Sequence, residues 1–226
     1  VYEGDVEIEA AKDLRILSKQ GSFFGEMSLL SGRRRSATVF AGDNCIVIET
    51  PRRTMNKLIS SVDAVKRVLD QTFIVRTIQQ KFAPDNSIEE LMPVAENTVI
   101  NEFKPGEVIF AEGDEGDTLH FIRSGSVTIS SSQQGKDVIM SYVPANQAVG
   151  EMALLGDTVR SATATATVKT ETLSINRESF DILMDTAVGL RDRMEKIAEE
   201  RNRQNVAKQS RAADSSELVS FLMGQG

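Results

Sequence analysis

The feature that most constrains this chain is a stretch that occurs twice. Gly25 to Val39 reads GEMSLLSGRRRSATV and Gly150 to Ala164 reads GEMALLGDTVRSATA; laid over each other without a gap they agree at nine of fifteen positions. The offset of 125 residues in a chain of 226 argues for two copies of one folding unit, each with its own core, rather than one large domain. Composition allows both cores, with 40% hydrophobic and 26% charged residues, the usual proportions of a globular protein.

Within each copy the order of parts is a glycine, an acid, one apolar helical turn, a polar turn, an arginine and a strand of small and polar residues. Gly150 permits backbone angles and close approaches that a side chain forbids. Met152 to Leu155 suits about one helical turn, whose free N–H groups attract an anion. Arg160 offers a planar fork of donors matched to phosphate oxygens, and Ser161 adds a hydroxyl beside it. Glu151, when ionised, accepts hydrogen bonds and suits a sugar hydroxyl. Gly25, Glu26, Arg35 and Ser36 repeat the set, so the chemistry asked for is that of a small sugar phosphate. A single Glu and Arg at this spacing reads as a surface ion pair of little energetic weight; its return at the same spacing is what points to a ligand.

Around the repeats the chain reads as short strands and helices. Val1 to Ile8 and Leu14 to Leu17 read as strands, and Ser36 to Glu49 returns to strands around a Gly42-Asp43-Asn44 turn. From Pro51 the period becomes helical, with Val62, Val65, Leu69 and Phe73 on one face of a connecting helix that extends towards Phe82, and Asp85 to Ala95 is a further helical segment starting at Asn86-Ser87. Val108 to Phe110, Leu119 to Ile122, Val127 to Ile129 and Val138 to Val143 are strand runs separated by glycine turns, a pattern that suggests a β-barrel or jelly roll. Ser161 to Ile175 alternates Ala162, Ala164 and Ala166 with threonines, a strand with one tight face. Arg177 to Met184 and Thr186 to Val206 read as helices, the second with Ala187, Leu190, Met194 and Ile197 in one stripe and Gly189 as an interruption. Beyond it lies a polar segment and then Glu217 to Met223, a short docking helix or a disordered end.

The repeated stretch resembles the phosphate-binding cassette of cyclic-nucleotide-binding domains, the family that includes bacterial catabolite activator proteins and regulatory subunits of cAMP-dependent protein kinase. The resemblance implies that Glu151 and Glu26 bind the ribose 2′-hydroxyl and that Arg160 and Arg35 bind the cyclic phosphate. Gly150, Met152, Ala153, Ser161 and Ala162 fall at the other cassette positions of the later copy, and Gly25, Met27, Ser28, Ser36 and Ala37 at those of the earlier. The implied fold is α+β, mainly β: tandem eight-stranded β jelly-roll barrels with flanking helices that act as hinge and lid. Gly4 corresponds to Gly125, and the later copy has a helical segment and a strand before that point, so the first copy is expected to be N-terminally truncated. The expected division is a partial first domain over residues 1–82, a complete second domain over 83–206 and a tail over 207–226. The ligand implied is cAMP: a serine follows the cassette arginine, where cGMP-selective members often carry threonine, and cGMP stays open.

Other functions find less support. His120 and Cys45 are the only residues of their kinds, so neither a soft-metal site nor a nucleophile-base pair is assembled, and Glu112 to Asp117 lacks the spacing of a calcium loop. The net charge of −7 disfavours nucleic acid and phospholipid partners, Arg33-Arg34-Arg35 reading as a solvated turn. No apolar run reaches the roughly 20 residues of a membrane span. A single cysteine suits a reducing, cytoplasmic setting. The expectation is a non-enzymatic sensor acting on an effector outside this chain, the alternative an interaction scaffold whose barrels bind no nucleotide.

Overall fold

The computed structural model describes residues 1–11, 14–31, 34–35, 37–133, 136–156 and 159–223. The chain divides into two compact units, Val1–Glu96 and Asn97–Gly226.

In the first unit, β1 (Val6–Ala11) pairs antiparallel with β2 (Leu14–Ser18) on one side and β3 (Thr38–Ala41) on the other, Val6 facing Ser18 and Ala41. Between β2 and β3, α1 (Glu26–Ser31) starts at the cassette acid. The single connecting helix expected after Pro51 is two helices, α2 (Arg52–Ser61) and α3 (Asp63–Lys81), because Val62 between them is extended at φ −131° and ψ 98°. Pro51 stands just before α2, where its missing N–H costs nothing. α3 buries Leu69, Phe73, Ile74 and Ile78 along one face. α4 (Ile88–Glu96) opens on a reciprocal cap: Glu90 N–H donates to Ser87 Oγ at 3.2 Å and Ser87 N–H to Glu90 Oε2 at 2.9 Å. The boundary falls at Glu96 and not after residue 82, since α4 packs on α3 and buries Leu91 and Val94 completely.

The second unit is the jelly roll. Its strands are β4 (Val99–Phe103), β5 (Val108–Phe110), β6 (Thr118–Ser124), β7 (Ser126–Gln133), β8 (Lys136–Pro144), β9 (Ala148–Val149), β10 (Thr163–Ala166) and β11 (Thr170–Asn176). They form two antiparallel four-stranded sheets, ordered β5-β10-β7-β8 and β4-β11-β6-β9. Ile122, Val127, Val143, Ala145, Val149 and Ala164 make a buried cluster, with Ile109, Phe110 and Ile129 packed against it. Ser161 to Ile175, expected as one strand, is two: β10 and β11 lie in different sheets, and Thr167 to Lys169 carries the chain between them. The alternation held within β10, where Ala164 and Ala166 are buried and Thr163 and Thr165 are not. β4 escaped the sequence reading because it is a half-exposed strand at the end of its sheet, and β9 because it is two residues long.

α5 (Glu151–Leu155) follows β9 directly. α6 (Arg177–Thr186) is capped by Asn176, whose Oδ1 accepts from Ser179 N–H at 2.9 Å. α7 runs from Leu190 to Met223, so the backbone of the expected tail continues this helix. Gly189 does not interrupt a helix; with φ +67° it belongs to the break that separates α6 from α7. Among the described residues no helix is long and apolar enough to cross a membrane.

Candidate functional site

In the second unit the cassette is built on the turn from β9 into α5. Gly150 makes that turn in the left-handed region, φ +88°, and a Cβ there would also overlap Arg160 Nη1. Only glycine meets both conditions cheaply. Glu151, the first residue of α5, is 3% exposed, and its Oε1 accepts from Arg201 Nη1 of α7 at 2.7 Å. The same Nη1 donates to the Ala148 carbonyl at 2.8 Å. Thus the buried acid is not an orphan charge.

Arg160 is 4% exposed. Its Nη1 donates to the Gly150 carbonyl at 2.9 Å and its Nη2 to the Thr118 carbonyl, at the start of β6, at 2.8 Å. The guanidinium carbon lies 4.1 Å from the centroid of the Phe110 ring. Among the described residues Nε is buried with no partner. Burial lowers the proton affinity of this guanidinium, and Asp117, Asp114 and Glu151 work in the opposite direction, as expected for a cation kept among carboxylates. Ala153 and Ala162 are buried and Met152 is half-buried, while Ser161 is exposed with its Oγ 3.7 Å from Met152 Sδ.

The first unit repeats the arrangement on the turn into α1. Gly25 has φ +89°, and Glu26 is 3% exposed with Oε1 accepting from Arg76 Nη1 of α3 at 2.6 Å. Arg76 also donates to the Phe23 carbonyl at 3.1 Å and lies over the Phe23 ring. Glu26 Oε2 is buried without a partner. Arg35 donates to the Gly25 carbonyl at 3.0 Å but is exposed. Ser28 Oγ donates to the same carbonyl at 3.1 Å, Met27 and Ala37 are half-buried, and Ser36 lies outside the described residues.

Four arginines of the site were not singled out from the sequence. Arg177, at the start of α6, donates to the carbonyls of Ala153 at 3.1 Å and Leu154 at 3.4 Å, acceptors that the short α5 leaves open, and to that of Gly116, before β6, at 3.2 Å. Arg52, at the start of α2, does the same for Ser28 at 2.9 Å and Leu29 at 3.0 Å. Arg76 and Arg201 hold the two cassette acids, each 50 residues downstream of its partner. The signal lay in the repeat: Arg52 and Arg177, and Arg76 and Arg201, are separated by the same 125 residues as the cassettes.

A family model for the cyclic nucleotide-binding domain matches residues 1–62 and 100–187. The chain is 26% identical over 167 residues to a cAMP-dependent protein kinase regulatory subunit of Yarrowia lipolytica, covering 74% of this chain and 43% of that protein. It is 34% identical over 170 residues to a cGMP-dependent protein kinase of Toxoplasma gondii, covering 72% of this chain and 16% of that protein. It therefore spans less than half the length of either relative. The regulatory domain of Toxoplasma gondii PKA, co-crystallised with cAMP, resembles it with a TM-score of 0.53 at 23% identity over 88% of this chain and 77% of that one, a likeness of fold.

Proposed function

Because the chain belongs to the cyclic nucleotide-binding domain family, we propose that it is a non-enzymatic sensor of a cyclic nucleotide, with cAMP the preferred ligand and cGMP the competitor to be tested. The observation that carries this reading is Arg160: a buried guanidinium, held in place by two backbone carbonyls, that retains a buried donor with no acceptor. A phosphate oxygen would supply that acceptor, through a hydrogen bond strengthened by charge on both sides. Glu151, fixed through Oε1 by Arg201, would take the ribose 2′-hydroxyl. Gly150, Met152, Ala153, Ser161 and Ala162 would line the same site, and Glu26, Arg35 and their neighbours a weaker one.

Occupancy would be transmitted through the two arginines that tie the cassette to the C-terminal helices. Arg177 joins α5 to the first turn of α6, and Arg201 joins Glu151 to α7. A ligand that contacts one arrangement of these elements better than another shifts the population towards it, with the break at Ala187 to Gly189 as hinge. Met194 is already buried in its unit, whereas Ile197 is 45% exposed one helical turn before Arg201, which makes Ile197 the candidate cover for the base. The output would pass to an effector outside this chain, of the protein-kinase kind named among its relatives.

Calorimetry of the whole chain with cAMP and with cGMP tests the reading, with Arg160→Ala as the decisive variant. Loss of most binding with unchanged circular dichroism is the expected result. Absence of binding to either nucleotide in the wild type would favour a scaffold role instead.

A further inference from the structure

The chain's only histidine lies in the second unit, and nucleotide recognition as described above gives it no part. His120, on β6, is 7% exposed. Its Nδ1 is 3.0 Å from Ser174 Oγ and 3.4 Å from Thr172 Oγ1, both on the adjacent strand β11. Asn101, on β4, donates to Ser174 Oγ at 2.9 Å, and the two hydroxyls are 3.3 Å apart. The rings of Phe103 and Phe110 pack on the imidazole with centroids at 6.4 and 5.8 Å. Phe110 is also the ring under the Arg160 guanidinium, so one side chain touches both the histidine and the cation that keeps an unpartnered donor.

We propose that His120 is a proton-binding site linked to the anion on Arg160: a phosphate seated on Arg160 eases proton uptake by His120, so that cyclic-nucleotide affinity rises as the pH falls. This rests on the sensor reading given above. The polar network can serve both states of the ring. A hydroxyl oxygen has two acceptor lone pairs, so Ser174 Oγ can accept from Asn101 and from a protonated Nδ1 together, its own hydrogen turning to Thr172 Oγ1. The imidazolium would then be buried but hydrogen-bonded at Nδ1.

The electrostatics supply the direction. Burial first, and the positive charge of Arg160 second, depress the imidazole to about 4, with Asp117 opposing them. The charges facing Arg160 in turn are Asp117, Asp114, Glu151 and Arg177. A phosphate anion on Arg160 offsets the second cause and leaves the first. The bound value therefore lies above the free one, and linkage requires binding to take up protons between the two. Affinity is flat near neutrality, begins to rise as the pH approaches the bound value, and carries its full gain only below the free value.

One histidine gives one imidazole C2–H resonance, which can be followed in the whole chain from about pH 7 to about pH 3 with and without saturating cAMP. The expected result is an upward move of the midpoint by about half to one unit on binding, one unit being a limiting tenfold gain in affinity. Arg160→Gln, which removes the charge and leaves a neutral amide, should raise the midpoint of the ligand-free protein, whereas Arg160→Lys should leave it in place. His120→Gln should abolish the gain in affinity at acid pH in calorimetry without changing the affinity at neutral pH. A midpoint that stays or falls when cAMP is bound overturns the proposal and leaves the sensor reading standing. Absence of cAMP binding at neutral pH overturns the sensor reading; the ligand-free Arg160→Gln titration then decides the coupling alone, and an unmoved midpoint refutes it.

Discussion

In the first cassette Arg35 is exposed and, among the described residues, donates to the Gly25 carbonyl; in the second, Arg160 is 4% exposed and donates to two, Gly150 and Thr118, over the ring of Phe110. The glycines, the acids and the arginines that hold the acids run in parallel. Both glycines adopt a φ near +88°, both acids are 3% exposed, and both acids are held by an arginine from a later helix at 2.6 or 2.7 Å. Both helical turns are also gripped at their carbonyls by an arginine that opens the next helix. The shared features come from residues within or downstream of the cassette. In the second unit β5 and the start of β6 supply Phe110 and Thr118 to the arginine. A cassette by itself thus places its acid, and the surrounding barrel decides whether its arginine works in water or in a low-dielectric site where a phosphate contact is stronger.

The sharpest way to break this comparison is to remove each cassette arginine. Arg160→Ala should weaken cAMP binding by about one to two orders of magnitude, if one charge-assisted hydrogen bond of about 1.5–3 kcal/mol is lost, whereas Arg35→Ala should change the stronger site's affinity less than about twofold. Equal losses in calorimetry would show that the burial difference has no functional weight.

Acid should separate the units next. His120 titrates at about 4 when folded, against an ordinary value of 6.5, and the first unit has no histidine. A depressed histidine is neutral in the folded state, so stability is intact above about pH 6.5 and falls as the unfolded chain takes up the proton, by about 3 kcal/mol once pH 4 is reached. Urea denaturation followed by circular dichroism should show this slope in the second unit, and His120→Gln should flatten it.

A smaller effect should fall on both units alike. Breaking a buried ion pair costs about 3–5 kcal/mol, which the partial exposure of Arg201 (30%) and Arg76 (20%) reduces to about 2. Arg201→Met and Arg76→Met should therefore lower the stability of their own units by similar amounts in the same denaturation experiment. Unequal losses would mean that the acids are less alike than their geometry. Smallest is the carbonyl grip. Arg177→Met removes a partly buried clamp on three carbonyls and should cost about 1 kcal/mol, and Arg52→Met, at an exposed clamp on two, under about 0.5 kcal/mol, both read from thermal unfolding.

Much of the fold was legible from local pattern. Short strand runs between glycine turns announced the jelly roll, and Ser87 with Glu90 announced the start of a helix, because reciprocal caps and tight turns are satisfied by neighbours in sequence. Pattern failed where the deciding partner is distant. Ser161 to Ile175 keeps a strand-like composition throughout, yet its two halves pair with β5 and β7 on one sheet and with β4 and β6 on the other, so the crossing at Thr167 to Lys169 is set by those partners. Val62 fits the helical period of its neighbours and is nevertheless extended and exposed between α2 and α3. The second arginine of each acid pair was hidden for the same reason, although the repeat offset that located the cassettes locates it as well.

The sequence by itself determined that there are two copies, that each places a glycine, an acid and an arginine at the turn into a short helix, and that their chemistry suits a sugar phosphate. These depend on residue identity and spacing, which a repeat displays directly. Only the tertiary structure decided that Glu151 is paired with Arg201, that His120 shares an aromatic neighbour with Arg160, and that Arg160 is buried where Arg35 is not. Burial and pairing are properties of strands and helices brought together from 50 or more residues away, and the dielectric around a charge follows from what packs over it rather than from what precedes it in the chain.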